Sequence, residues 1–199
     1  MASVIEICNR ALTKLGESRI LALTDDSKAA RTLNSMYAIV RDAELRASRW
    51  RFSIKRASLA ELASPPEYGF VRQFQLPTDC LKVLEAGDRY PGVDLSDYVQ
   101  TDNSDYAIEG NAILTNWAAP LRVRYVASIT DPTLFDACFV EALACRLAFE
   151  SAEAITDSTT RKQQLERDYE RAMMDARKAN AIERPPQKMA DDTWMIARL

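Results

Sequence analysis

The feature that most constrains the fold is a change of hydrophobic periodicity along the chain. Residues 1–51 and 129–183 place apolar side chains at helical spacing, whereas residues 52–128 contain short runs rich in β-branched and aromatic residues, broken by prolines. We therefore predict an α+β, mainly α fold. It is a four-helix bundle (residues 1–51 and 129–183) that is split two and two by an inserted small antiparallel β subdomain (residues 52–128). An extended C-terminal arm (residues 184–199) follows.

The N-terminal segment predicts two helices. The first runs from a cap at Ser3 to Gly16, a residue that readily adopts the left-handed conformation that ends helices. The second begins at one of three candidate caps, Asp25, Asp26 and Ser27. Its predicted buried face, which runs toward Trp50, consists of Ala29, Ala30, Leu33, Met36, Tyr37, Val40 and Ala47.

The C-terminal segment predicts two more helices. Asp131 as cap and Pro132 as first helical residue predict the start of the third. Its predicted buried face consists of Phe135, Cys138, Phe139, Ala142, Leu143, Ala148 and Phe149. The fourth helix is predicted to be capped near Thr156-Asp157. Its narrow apolar stripe is Leu165, Tyr169, Ala172, Met173 and Ala176. The rest of that helix is charged with balanced signs, which is typical of an exposed face or of a face that meets other copies in an oligomer.

Strand-like runs occur in the middle segment at FVRQFQL, LKVLEA, YAIEG, NAILTNW and LRVRYVAS. The stretch AIEGNAIL predicts a hairpin that turns at Glu109-Gly110-Asn111. Between residues 85 and 109 the chain is acidic, with Glu85, Asp88, Asp94, Asp97, Asp102, Asp105 and Glu109 against Arg89 alone. This stretch lacks the residue order of a calcium loop, so it predicts a solvated loop or partner surface rather than a divalent-cation site.

The sequence contains no histidine, which excludes several classes of enzyme. Ser-His-Asp and Cys-His catalysis and most zinc chemistry require that side chain. No Walker, GxGxxG, HExxH or nucleophile-elbow motif occurs either. We therefore predict a protein that is not an enzyme, with no catalytic residue, no metal ligand and no cofactor. The four cysteines lie singly in apolar patterns and are predicted to be buried, reduced thiols.

Charge and hydropathy predict neither a membrane protein nor a general nucleic-acid binder. The net charge is −3, and no run of 18 apolar residues occurs. The first residues, MASVIEICNRAL, carry Glu6 and Arg10 where a signal peptide needs an apolar stretch. We expect a protein of cytosolic origin.

One stretch, RDAELRASRWRFSIKRAS, is nevertheless basic. Its candidate contacts to DNA or to a partner are Arg46, Arg49, Arg51, Lys55 and Arg56. These cations fit either phosphate contacts or a solvated helix end that pairs with acidic neighbours. Trp50 and Phe52 are predicted to form a packing joint between helix and sheet rather than a platform for base stacking.

The final segment, RPPQKMADDTWMIARL, predicts a docking arm. A double proline favours an extended exit from the bundle, and aromatic and apolar side chains beyond it are typical interface anchors. The predicted docking residues are Pro185, Pro186, Met189, Trp194, Met195, Ile196 and Leu199. We expect these anchors to bind a groove of another subunit.

Several motifs, taken in order, resemble the tail tubular protein A family, the head-to-tail adaptors of short-tailed bacteriophages. They are the opening ALTKLG, the joint LRASRWRF, the LPTDCL run, the YAIEGNAILT hairpin, and the stretch VRYVASITDPTLFDA. The resemblance covers about residues 3–180.

This resemblance implies a structural protein of the virion, assembled in the host cytoplasm and located at the head–tail neck. Members form a homo-oligomeric ring, typically of about twelve copies, between the portal protein and the tail tube or nozzle. Double-stranded DNA passes through the lumen without sequence-specific binding. The resemblance also implies that the docking arm binds either the portal protein or an adjacent subunit. The alternative that the basic stretch leaves open is a nucleic-acid-binding factor for phage assembly or packaging.

Overall fold

The computed structural model describes residues 2–87 and 106–183. These residues form four α-helices and six β-strands. In chain order they are α1 (Val4–Leu15), α2 (Lys28–Ala47), β1 (Ile54–Leu59), β2 (Arg72–Gln75), β3 (Cys80–Ala86), β4 (Tyr106–Glu109), β5 (Ala112–Thr115), β6 (Leu121–Ala127), α3 (Ala137–Thr156) and α4 (Thr159–Ile182). The predicted α+β class is confirmed.

The contacts within the chain define two compact units. Residues Met1–Ile54 and Val126–Glu183 form one, which we call the helical unit, and Lys55–Tyr125 belong to the other, the β unit. The helical unit thus joins two segments that are distant in sequence.

Helix α3 is the centre of the helical unit. It packs against α1, α2 and α4. Its buried residues lie on all sides of the helix and include Phe139, Leu143 and Leu147. A helix that is apolar all round is stable only when other elements surround it, so α3 is the hydrophobic core on which the other three helices assemble.

Capping residues determine where α1 and α2 begin. Ser3 and Glu6 form a reciprocal capping box at the start of α1, and Gly16 ends that helix with a φ of 78°. The Oγ of Ser27 accepts the backbone N–H of Ala30 at the start of α2. The predicted first helix is therefore confirmed, and Ser27 is the cap among the three candidates of the second.

The predicted start of the third helix is wrong. Asp131 and Pro132 begin a separate 3-10 turn, Pro132–Leu134, which ends where Phe135 adopts an extended backbone. Asp136 is the true cap of α3, and its Oδ1 accepts the backbone N–H of Cys138 at 2.8 Å. The fourth helix also starts slightly later than predicted, because Asp157 ends α3 in a left-handed conformation and Ser158 caps α4.

The predicted face of α2 is correct only in part. Ala30, Leu33, Tyr37 and Val40 are buried, whereas Ala29 and Met36 are half-buried and Ala47 is exposed. Three residues outside the predicted face are buried instead: Arg41, Glu44 and Leu45. The helix is therefore turned so that part of its apolar surface points away from α3.

The strands form two three-stranded sheets, where one was predicted. Their orders are β1-β6-β3 and β2-β5-β4. Strand β1 was not among the predicted runs, because it exposes Lys55 and Arg56 and buries only Leu59.

The predicted hairpin is confirmed. Strands β4 and β5 pair antiparallel with Ile108 opposite Ile113. Gly110 begins the two-residue turn with a φ of 57°, as glycine does at the first position of type II′ hairpins. Within the two described ranges, no helix has the length and apolarity needed to cross a membrane.

Candidate functional site

The predicted docking residues lie beyond the described part of the chain. These are Pro185, Pro186, Met189, Trp194, Met195, Ile196 and Leu199, and the described residues end at Glu183. What the structure does provide is the end of α4, from which that segment continues.

The last turns of α4 are bonded to the segment that follows α2. The Nε of Arg177 donates to the Oγ of Ser48 at 3.0 Å. The amide of Asn180 bridges two backbone groups: its Nδ2 donates to the carbonyl of Arg49 at 3.0 Å, and its Oδ1 accepts the N–H of Arg51 at 3.1 Å. A side-chain amide that uses both its donor and its acceptor in this way fixes the relative position of the two segments.

Arg51 completes this junction. Its guanidinium donates to the backbone carbonyl of Glu183 at 2.7 Å and lies 2.8 Å from the carboxylate of the same residue. We call the set of Ser48, Arg49, Arg51, Arg177, Asn180 and Glu183 the α4 clamp. The clamp holds the point at which the chain leaves α4.

Lys55 pairs with a carboxylate in the β unit. Its Nζ lies 2.8 Å from Asp79, and the hydroxyl of Tyr125 donates to the same carboxylate at 3.0 Å. Burial alone would raise the pKa of Asp79, but the bonds from Lys55 and Tyr125 outweigh it and lower that pKa below its ordinary value. Lys55 therefore has a structural partner within its own unit.

The remaining cations of the basic stretch fall into two groups. Arg41 is almost fully buried and donates to Asp42 at 2.9 Å and to Ser128 at 3.3 Å. Arg46, Arg49 and Arg56 are exposed. Two of the five candidate contact residues, Arg51 and Lys55, are thus bound to carboxylates. Such pairing with acidic neighbours was the alternative to phosphate contacts.

Trp50 and Phe52 belong to an aromatic cluster against α3. Trp50 is 0% exposed, and its Nε1 donates to the backbone carbonyl of Glu44 at 2.9 Å. Its ring centroid lies 4.9 Å from that of Phe139, and the ring of Phe52 lies 5.1 Å from Phe139 and 5.6 Å from Phe135. Trp50 is a core residue of the helical unit, and Phe52 is half-buried beside it. A fully buried Trp50 is not accessible for base stacking.

Sequence reasoning missed a polar network around the buried Glu44 that joins α2, α3 and α4. Glu44 is only 4% exposed, and its Oε1 accepts the hydroxyl of Tyr169 at 2.6 Å and lies 3.6 Å from Arg146. Arg146 also pairs with Glu150, and its guanidinium lies 5.1 Å from the ring centroid of Tyr169. Burial, followed by the bond to Glu44, raises the pKa of Tyr169 to about 12.

Nothing in the described ranges forms a metal centre. No group of three or more His, Cys, Asp or Glu side chains could hold an ion there. All four cysteines are free. Cys8 and Cys145 are buried, whereas Cys80 and Cys138 are half-buried, so burial is less complete than predicted. Burial raises the pKa of Cys8 to about 12, which keeps this thiol protonated and unreactive at neutral pH.

The predicted acidic surface is described only at its two ends. Glu85 pairs with Arg124 at 2.9 Å, and Glu109 is exposed at the hairpin. The residues between them, Asp88, Arg89, Asp94, Asp97, Asp102 and Asp105, lie outside the described ranges.

Neither a protein-family model nor a curated protein matches this sequence.

Proposed function

We propose that the protein is a head-to-tail adaptor of a short-tailed bacteriophage, a structural component of the virion. In this role copies of the chain form a ring on the portal protein, carry the tail tube or nozzle, and extend the channel for DNA. In this proposal the helical unit corresponds to the bundle that the resemblance implies, split two and two by the inserted strands, and residues 184–199 act as the docking arm.

The observation that carries the proposal is the set of family-like motifs, which occur in the family's order. In this chain their residues occupy positions that determine the fold. Gly16 ends α1, Trp50 is fully buried against α3, and Gly110 makes the β4–β5 turn. Thr115, at the end of the hairpin motif, is a buried polar residue. Residues at such positions determine a fold, and this supports the proposal that the chain shares the family's architecture.

The α4 clamp supports the docking arm in particular. When the first residue of an arm is held in place, the unbound arm has fewer conformations. It therefore loses less conformational entropy when it binds. An arm anchored by Trp194 and neighbouring apolar residues then needs a groove on the portal or on the adjacent subunit.

The alternative, a nucleic-acid-binding factor for assembly or packaging, is less well supported. Phosphate binding uses cations that are accessible to the duplex. Arg51 and Lys55 are bound to Glu183 and Asp79, so the basic stretch does not present its five candidate cations as one accessible surface.

The test is negative-stain imaging of the purified chain with and without the portal protein encoded in the same genome. We expect rings seated on the portal, and we expect mass spectrometry to find the chain in purified virions. Failure of both observations would reject the adaptor function.

A duplex-DNA titration distinguishes the alternative. The adaptor should bind free DNA weakly, because its role requires DNA to slide through it. Tight binding that falls steeply with salt, and that is lost when Arg46, Arg49 and Arg51 are replaced together by glutamine, would favour the nucleic-acid-binding factor.

A further inference from the structure

Helix α4 ends without the residue that most often terminates a helix. The last carbonyl groups of a helix have no partner within it, and a glycine in a left-handed conformation commonly lets other backbone groups bind them. No glycine occurs among residues 176–184, and Glu183 follows α4 with a right-handed backbone. A side chain from elsewhere in the chain can take over the role of that cap.

Arg51 supplies this cap. Its Nη1 donates to the backbone carbonyl of Glu183 at 2.7 Å and lies 2.8 Å from the carboxylate of the same residue. A cation at this position also interacts favourably with the negative end of the helix dipole. Arg51 precedes Glu183 by 132 positions, so the segment that follows α2 caps the end of α4.

The dependence also runs in the other direction, because residues 48–53 use α4 for their own hydrogen bonds. The carbonyl of Arg49 and the N–H of Arg51 both bind the side-chain amide of Asn180. Ser48 accepts a bond from Arg177. Each segment thus provides hydrogen-bond partners for backbone groups of the other.

The two segments differ in how firmly the rest of the helical unit holds them. Trp50, in the middle of residues 48–53, is 0% exposed, and its indole donates to the carbonyl of Glu44. The last turn of α4 is exposed at residues 181–183. The α4 clamp therefore connects an exposed helix end to a segment with a buried centre, and that segment leads directly into β1.

We propose that the last turn of α4 and residues 48–53 open and close as one cooperative unit. Opening either segment breaks the bonds of the α4 clamp and leaves backbone groups of the other without those partners. Because such coupling is reciprocal, a partner that holds the docking arm, and with it the end of α4, also stabilises the segment that leads into β1. This last step rests on the proposed docking function, whereas the cooperative unit itself does not.

Hydrogen exchange of the free, full-length chain, followed by NMR, tests the proposal. One backbone N–H in each segment reports its opening without taking part in the clamp. The N–H of Ser53 donates to the carbonyl of Trp50 at 3.0 Å, and the N–H of Glu183 donates to the carbonyl of Ala179 at 3.4 Å.

Ala181→Gly loosens the end of α4 without removing a bond of the α4 clamp, because it changes an exposed side chain to one with low helix propensity. We expect exchange at Glu183 and at Ser53 to speed up by the same factor, roughly threefold to fivefold. Arg51→Ala removes the cap and should also speed exchange at both positions.

The matched control is Gln164→Gly, which makes the same kind of change at an exposed position near the start of α4. It should leave exchange at Ser53 and Glu183 unchanged. An Ala181→Gly chain with faster exchange at Glu183 but not at Ser53 would overturn the proposal, since the end of α4 would then open alone. Equal acceleration at Ser53 in the Gln164→Gly chain would overturn it too. Neither result involves a portal protein, so the adaptor function keeps its own test.

Discussion

Glu44 shows how much one side chain contributes to the arrangement of the helical unit. Glu44 belongs to α2, and its buried carboxylate accepts a hydrogen bond from the Tyr169 hydroxyl of α4 and lies near the Arg146 guanidinium of α3. A buried carboxylate is costly unless it is paired and hydrogen-bonded. These partners are available only when the three helices pack in this one arrangement, so the network favours that arrangement over other packings.

Replacing Glu44 with alanine should therefore destabilise the protein strongly. We expect the free energy of unfolding to fall by about 2–4 kcal/mol, since Tyr169 and Arg146 lose a buried partner and a cavity is left. Glu44→Gln should cost less, because its amide oxygen can still accept the Tyr169 hydroxyl. Urea denaturation followed by far-UV circular dichroism measures both changes.

Glu166→Ala is the matched control, because it removes an exposed glutamate from the same unit. It should change the free energy of unfolding by less than about 0.5 kcal/mol. A double-mutant cycle of Glu44→Ala and Tyr169→Phe then measures the interaction energy between the two side chains. If the losses of unfolding free energy in the single variants add up to that of the double variant, the two residues do not stabilise each other.

The sequence allows the Glu44 network to be anticipated only in part. Glu44 lies at helical spacing from Leu33, Tyr37 and Val40, and a carboxylate on an apolar face indicates a buried ion pair or a functional site. Its partners could not be named, because Tyr169 is 125 positions away and periodicity says nothing about which distant helices meet.

Among the elements, local signals located both ends of α1 but not the start of α3. The cap at Ser3 and the glycine at position 16 were sufficient for α1. Asp131-Pro132 is an equally strong local signal, yet it begins only a 3-10 turn, because Asp136 offers a second cap just before the apolar run of α3. Two adjacent start signals cannot be ranked without knowledge of the packing.

The face of α2 illustrates a second limit. This helix has two apolar faces, and periodicity alone cannot say which of them meets α3. Tertiary packing buries Leu45 and leaves Ala47 exposed. Strand β1 escaped prediction for a related reason, since a strand with only one buried side chain lacks the alternation that identifies strands.

Two glycines of the β unit allow backbone strain to be separated from steric contact. Gly69 and Gly87 have similar positive φ values, 86° and 90°. A Cβ at Gly69 would meet nothing within 4 Å, whereas one at Gly87 would lie 2.9 Å from the ring of Trp117. We expect Gly69→Ala to cost about 1 kcal/mol of stability and Gly87→Ala about 2–4 kcal/mol.

Thermal unfolding of the two variants measures the difference, and tryptophan fluorescence reports its cause. Gly87→Ala should shift the emission because the Trp117 ring must move, and Gly69→Ala should leave the emission unchanged. Equal losses of stability in both variants would show that backbone strain alone decides the cost.

At the scale of the whole molecule, the sequence predicted the α+β class and the order of the helices and of most strands. Alternation between helical and strand periodicity is a strong signal over long segments. The division of six strands into two sheets was not predictable, because pairing between β1, β6 and β3 joins segments far apart in the chain. Of the candidate site, the sequence identified Arg51 and left two roles open, a contact to DNA or a partner and a pairing with acidic neighbours. The structure places Arg51 in the α4 clamp, bound to Glu183.

Deletion of residues 185–199 should separate folding from docking. We expect the truncated chain to keep its helical circular dichroism and its cooperative unfolding transition, since the α4 clamp ends at Glu183. Binding to the portal should weaken at least tenfold, because the proposed anchors are removed; pull-down and imaging with the portal measure this loss.

The point variant Glu166→Ala serves as a control for the deletion, as its exposed side chain belongs neither to the arm nor to the α4 clamp. It should bind the portal like the original chain. A truncated chain that fails to fold would instead show that the final residues belong to the protein's own core.

The α4 clamp also determines how the protein bears tension. A force that pulls on the chain beyond residue 183 first meets the two bonds between Glu183 and Arg51, and then those of Asn180 and Arg177. Because these bonds cross from α4 to the segment that follows α2, the load is divided between two parts of the chain before α4 can fray. The end of α4 is thereby reinforced against unwinding.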